Sequence, residues 1–395
     1  MSPTVLFDLN EHEPVTNRSW DPDEARSFVA RTIEQIDATF EPARGWVPHP
    51  EDDGPNRQPF DGVYNGTAGT MWALTHLARS TGTTLTNDYA AEIARCEQTY
   101  RAGKDVVPSY FIGTVGITLA RYAITGERAA LDRIAADIRS NLGNPTREAL
   151  WGSPGTIIAA LLLREQTGDA RYDDLIHDVQ DELWSTWVVD GGAPFLWRQD
   201  LYGSRSHYVG AAHGAAGNLL PFLRALDILR DDRRGALRER VASMLETYAI
   251  RMDNRDNWWA AANPLRGRAV QWCHGAPGII ISLSSYPPGD ERVDDFLLQG
   301  AECTWRAGPL RKGPTLCHGT AGNGFALLRM AQRTGDDIWR ERAEKFATHA
   351  IAQVVTWRET FGLPSPSLWT GDLGVALFVD AVLRNDPRVL SIDTM

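Results

Sequence analysis

Lysine is nearly missing from this chain of 395 residues: Lys104, Lys312 and Lys345 are the only three among 40 basic residues, and the rest are arginine. That skew points to a GC-rich, bacterial genome rather than to a function. Basic charge is itself outnumbered. With 51 Asp and Glu the formal net charge is −11, which excludes a protein that holds nucleic acid or an anionic membrane through its overall field. Cysteine is scarce too, at Cys96, Cys273, Cys303 and Cys317. In a long chain without a secretion signal these read as reduced thiols, so a clustered pair suggests a metal or catalytic site rather than a disulfide. No apolar run reaches the roughly 18 residues of a membrane span, and residues 1–10 lack the basic start and apolar stretch of a signal peptide. The expected location is the cytoplasm.

Glycine, by contrast, is abundant, with 35 residues, and it is patterned. A Gly-x-x-Gly tetrad followed by an apolar run occurs seven times, beginning at Gly66, Gly113, Gly152, Gly214, Gly275, Gly319 and Gly371. The starts lie 47, 39, 62, 61, 44 and 52 residues apart, enough for two helices and a connection of variable length. The residues after each tetrad are apolar over much of a helical circumference, as in Met71, Trp72, Leu74 and Leu77, so these helices are surrounded by protein. Gly82, Gly126, Gly168 and Gly335 follow them where glycine commonly ends a helix. More polar stretches, such as residues 87–101 and 127–139, suit an outer layer with one wet face.

This pattern predicts an all-α, seven-fold α/α toroid of inner and outer helices, spanning residues 60–395 as one seven-repeat barrel. Residues 1–59 precede it. Asp21, Pro22 and Glu24 look like the start of a helix running to about Phe40, which supplies an outer helix, and residues 41–59, with five prolines, read as a loop. A single tetrad needs nothing beyond packing to explain it. Chemistry is expected where further residues are added.

Three consecutive tetrads, the fourth to sixth, are preceded by coordinating or titrating side chains: Ala212-His213-Gly214, Trp272-Cys273-His274-Gly275 and Leu316-Cys317-His318-Gly319. If equivalent positions share one rim, His213, Cys273, His274, Cys317 and His318 converge near the cavity mouth. Two thiols with nearby imidazoles in a reducing compartment suit zinc. Both members of both Cys-His pairs would make a closed structural site, whereas three ligands and an open position would make a catalytic one. Cys96 and Cys303 lie outside the tetrads and read as small buried packing residues.

The segments 208–214, 271–278 and 316–322 resemble the signature segments of the lanthionine synthetase C-like family, especially its stand-alone glutathione-binding members, and the similarity covers all seven repeats. The resemblance implies a seven-fold toroid with one zinc ion held by Cys273, Cys317 and His318, and with His213 as acid/base. His274 becomes a neighbouring residue that either supports the ligands from behind or faces the substrate. Glu148, before the third tetrad, matches an acidic residue and is read as a partner of His213, with a solvated or capping carboxylate as the alternative. Lys312 matches a lysine that contacts glutathione, Arg268 and Arg311 add charge to the same rim, and Tyr208 and Trp272 are placed as cavity-lining residues.

The implied activity is zinc-dependent addition of a thiol, either glutathione or a peptide cysteine, to dehydroalanine or dehydrobutyrine, giving a thioether. The chain has no dehydratase of its own by this reading, so a separate dehydratase or kinase is expected to prepare the peptide or protein acceptor. Two other classes stay open: a carbohydrate-active α/α barrel, which needs two opposed rim carboxylates, and a non-catalytic zinc- or glutathione-binding scaffold.

Overall fold

The computed structural model describes residues 5–52, 60–188 and 191–395. Its inner helices follow the seven tetrads: Thr67–Thr81, Thr114–Thr125, Ser153–Thr167, the pair Ala215–Asn218 and Leu220–Leu223, Ala276–Leu283, Thr320–Thr334 and Asp372–Arg384. Between them run the outer helices Tyr89–Arg101, Ala129–Ser140, Arg171–Thr186, Asp231–Tyr248, Glu291–Ala307 and Asp337–Phe361. The seventh inner helix takes its outer partner from the other end of the chain. Pro22–Ala38, capped by the Asp21 carboxylate on the amides of Asp23 and Glu24, packs along Asp372–Arg384. The N-terminal helix thus closes the ring.

Inner helices are buried nearly all round, as in Ser153–Thr167, where all eleven residues from Ser153 to Leu163 are buried, while outer helices bury one stripe. Gly82, Gly126, Gly168 and Gly335 each adopt a left-handed conformation, with φ between 66° and 74°, and end the helix as the sequence suggests. The fourth inner helix is broken in two because Pro221 has no amide to continue the ladder.

The tetrads obey one steric rule. A Cβ on the second glycine of each would lie between 1.8 and 2.3 Å from a single carbonyl oxygen, that of Val63, Tyr110, Ala149, Ala211, Trp272, Leu316 or Leu368. In every repeat that oxygen belongs to the third residue before the first glycine, so loop and helix pack too closely for any side chain.

The loops are also sewn to one another. Backbone amides donate to carbonyls from Ala149 to Ala212, Ala212 to Cys273, Cys273 to Cys317, Cys317 to Trp369, Trp369 to Tyr64 and Tyr64 to Phe111, at 2.8–3.5 Å. All but Ala149 stand two residues before a tetrad. This girdle links every repeat and brings equivalent positions side by side.

The described residues depart from pure helix in two short antiparallel hairpins, Gln199–Leu201 with Ser204–Ser206 and Ala249–Arg251 with Asp256–Trp258. They fall in the two longest intervals between tetrads, where the extra length has no room in a helix pair. Of the expected loop at 41–59, residues 53–59 lie outside the described residues; Glu41 and Gly45 close a tight turn, and Asp52 reaches Ser367 at 3.2 Å. No helix among the described residues is long and apolar enough to cross a membrane.

Candidate functional site

Because Cys273 and Cys317 hold the same place in adjoining repeats, the girdle sets their backbones together, the Cys273 amide donating to the Cys317 carbonyl at 3.1 Å. Their side chains meet in a hydrogen bond. Hydrogen bonding from Cys317 outweighs burial and draws the Cys273 thiol below its ordinary range, aided by Gln271, whose Nε2 donates to Sγ at 2.9 Å, and by the charges of His213 and Lys312. Burial pushes Cys317 the other way, well above the usual thiol range. Tyr64, whose phenol is likewise raised by burial, lies beside Cys317 and interacts with it. The remaining cysteines behave differently: all four are free, but burial raises Cys96, and it pushes Cys303 up to about 12.

His213 Nδ1 lies 2.8 Å from Glu148 Oε2. The Glu148 side chain is fully buried and also accepts the amides of Leu150 (3.1 Å) and Trp151 (2.6 Å). An ionised carboxylate only accepts, so Nδ1 carries a proton and Nε2 is the nitrogen free for exchange. Burial works against the imidazolium, yet the hydrogen bond and charge of Glu148 prevail and raise the His213 pKa.

His274 stacks on His213 with ring centroids 5.8 Å apart, and Tyr208 sits over both, 6.0 and 5.6 Å away. His274 Nδ1 is buried without a partner among the described residues. Burial, with the charge of His213, lowers His274 to about 4; burial with the charge of Lys312 does the same for His318. Both are neutral at physiological pH.

Next to the thiols is a cavity of about 470 Å³ whose lining includes Arg266, Arg268, Lys312, Gln271, His274 and Glu11. Three cations around one hollow contrast with a molecule of net charge −11. Arg311 instead turns toward Glu13 at 4.0 Å. Trp272 is 3% exposed and packs on Trp369, with centroids 4.3 Å apart, beneath the rim.

Whether these residues suit a metal rests on their chemistry. Two thiols in contact, one of them shifted toward thiolate, and a neutral imidazole next to Cys317 in the chain form a donor set that fits zinc. Among the described residues no three His, Cys, Asp or Glu side chains already close around one point. The structure thus joins Cys273 to Cys317 and Glu148 to His213, and places His274, Tyr208 and Lys312 beside them. Sequence reasoning missed Gln271 and Tyr64. Tyr64 stands two residues before Gly66, the position of the two cysteines in their repeats, and aligning the tetrads would have found it.

Comparison with known proteins gives three findings. The family described as lanthionine synthetase C-like protein matches residues 60–394. The chain is 30% identical over 218 residues to "LanC-like protein GCL1" of Arabidopsis thaliana, covering 53% of this chain and 48% of that one, and 32% identical over 145 residues to "Glutathione S-transferase LANCL1" of Danio rerio, covering 36% and 35%. These matches span half or less of the relatives' lengths. Among solved structures, the one titled "Nisin cyclase" superposes with a TM-score of 0.64 at 17% identity, covering 91% of this chain and 98% of that one, a likeness of fold.

Proposed function

The chain belongs to the lanthionine synthetase C-like family, and from that premise we propose that it adds a thiol to the β-carbon of a dehydroalanine or dehydrobutyrine residue, forming a thioether. Cys273, Cys317 and His318 would hold a zinc ion. When bound, that ion supplies positive charge that lets an entering thiol lose its proton near neutral pH. The new bond joins sulfur to the β-carbon, the carbon–carbon double bond becomes an enolate, and the α-carbon takes up one proton. His213 delivers that proton from Nε2 while Glu148 holds Nδ1 and stabilises the imidazolium.

Arg266, Arg268 and Lys312 suit a thiol that carries carboxylates, so glutathione is the favoured donor over a peptide cysteine. The name of the zebrafish relative accords with this choice. The observation that carries the reading is the meeting of two thiols from consecutive repeats beside a carboxylate–imidazole pair. The test incubates the purified chain, its zinc content measured, with a dehydroalanine peptide and glutathione and follows the mass of the adduct. Stoichiometric zinc and adduct formation in the wild type, both lost in Cys273→Ala, are expected. Adduct formation unchanged in Cys273→Ala removes the thiols from the mechanism, and zinc without any adduct favours a binding scaffold.

A further inference from the structure

The loop that carries Glu148 is tied internally through Asn141 and Asn144 and is also held from outside itself. Arg147, immediately before Glu148, sits at φ +40°, a left-handed conformation that an arginine adopts only under constraint. Its carbonyl is caught from the next repeat. Asn218 Nδ2 donates to Arg147 O at 3.0 Å, and the Gln199 amide approaches the same oxygen at 3.4 Å.

Asn218 is completely buried, and its Oδ1 has no partner among the described residues. A buried amide with an unmet acceptor is a poor way to fill a helix core, where leucine would do better. Its presence calls for another reason. The same bond recurs at equivalent places. Asn323, four residues after Gly319, donates to Val270 O at 2.8 Å, and Thr70, four residues after Gly66, shares its hydroxyl between Gly66 O in its own turn at 3.1 Å and Pro366 O at 3.2 Å. Asn218 is four residues after Gly214, and in all three cases the accepting carbonyl lies five residues before the first glycine of the preceding repeat. At this helix position the other repeats carry Ile117, Ile279 and Val375, or Thr156, which bonds within its own turn to Ser153 O. The latched loops are therefore those bearing Glu148, Cys273 and Trp369.

We propose that Asn218 is a positioning residue for proton transfer: it fixes the Arg147 carbonyl, and through it the Glu148 carboxylate, against His213 from the neighbouring repeat. The importance of this for turnover rests on the function proposed above, whereas the effect on the pair itself does not. The experiment therefore reads both in the full chain. Proton NMR follows the downfield resonance of the His213 Nδ1–H bonded to Glu148, and steady-state kinetics follow addition of glutathione to a dehydroalanine peptide.

Asn218→Leu is expected to abolish that resonance and lower kcat threefold to tenfold, no more than loss of the Glu148 charge itself, with KM for the thiol changed less than twofold. Asn218→Thr, which can donate as Thr70 does, restores both. Thr70→Val loses the equivalent latch in a loop remote from the pair and should keep the resonance. If Asn218→Leu does not fold, Asn218→Ala, too short to reach the carbonyl, must show the same loss. A wild type without the resonance, an Asn218→Leu or Asn218→Ala protein that retains it, or an equal loss in Thr70→Val overturns the proposal. A wild type that shows the resonance but forms no adduct refutes the thiol-addition reading alone, and the resonance series still decides whether Asn218 sets the pair.

Discussion

Repeats seven, one and two and repeats four, five and six share one backbone but not one chemistry. Two residues before its tetrad, each of the first group places an aromatic side chain, Trp369, Tyr64 or Phe111, and these pack on one another with centroids 5.4–6.4 Å apart. At the same position the second group places Ala212, Cys273 and Cys317, each followed by histidine. The girdle of amide–carbonyl bonds passes through both arcs. A loop whose path is set by main-chain bonds and a forced glycine is free to carry either a packing residue or a reactive one, so the ring has an aromatic arc and, adjoining it where Cys317 meets Trp369, an arc that carries the reactive side chains.

Four experiments would break or sharpen that contrast. The largest effect is expected at the thiols: Cys317→Ala should reduce adduct formation about a thousandfold, on the order of 4 kcal/mol of lost transition-state stabilisation, whereas Cys303→Ala leaves the rate within about twofold. The aromatic arc should respond in the opposite currency. Phe111→Ala removes a fully buried ring and should cost about 3 kcal/mol in a denaturant melt, with turnover of the folded fraction almost unchanged. A comparable effect on turnover would dissolve the division between arcs.

His213→Asn should lower kcat by about a hundredfold, the usual contribution of one positioned general acid. Glu148→Gln comes last, at about tenfold, and its signature lies in the pH profile. In the wild type the hydrogen bond and charge of Glu148 raise the His213 pKa against burial, so the imidazolium, the form that donates, persists to higher pH. Removing that charge should move the alkaline limb of kcat to lower pH and leave the acid limb in place. A limb that does not move would show that His213 is not the donor.

The toroid was legible because its signal is steric. The second glycine of every tetrad is demanded by a carbonyl oxygen within 2.3 Å of the missing Cβ, and the terminating glycines by positive φ, so both recur whatever the intervening length. Equal spacing from the tetrads likewise exposed Cys273 and Cys317 as neighbours. The two hairpins were not legible, since three-residue strands such as Gln199–Leu201 are too short to show alternation. Nor were the contacts of Gln271 with Cys273 or of Asn218 with Arg147. Those depend on which side chains face each other across repeats, and no periodicity along one strand of sequence records that. The Glu148–His213 pairing came from family resemblance, with a gap of 65 residues between the partners, and the hydrogen bond supplies its geometry.

The placement of Pro22–Ala38 against Asp372–Arg384 gives the architecture no beginning. The seventh inner helix would stand uncovered in a protein trimmed to residue 60, where the family match starts, and such a truncation should aggregate. Conversely, the covalent break between last and first helices is one seam among seven. Joining the termini by a flexible tether and opening the ring at an exposed Thr-Gly corner, such as Gly335, should yield a circular permutant with the same hoop.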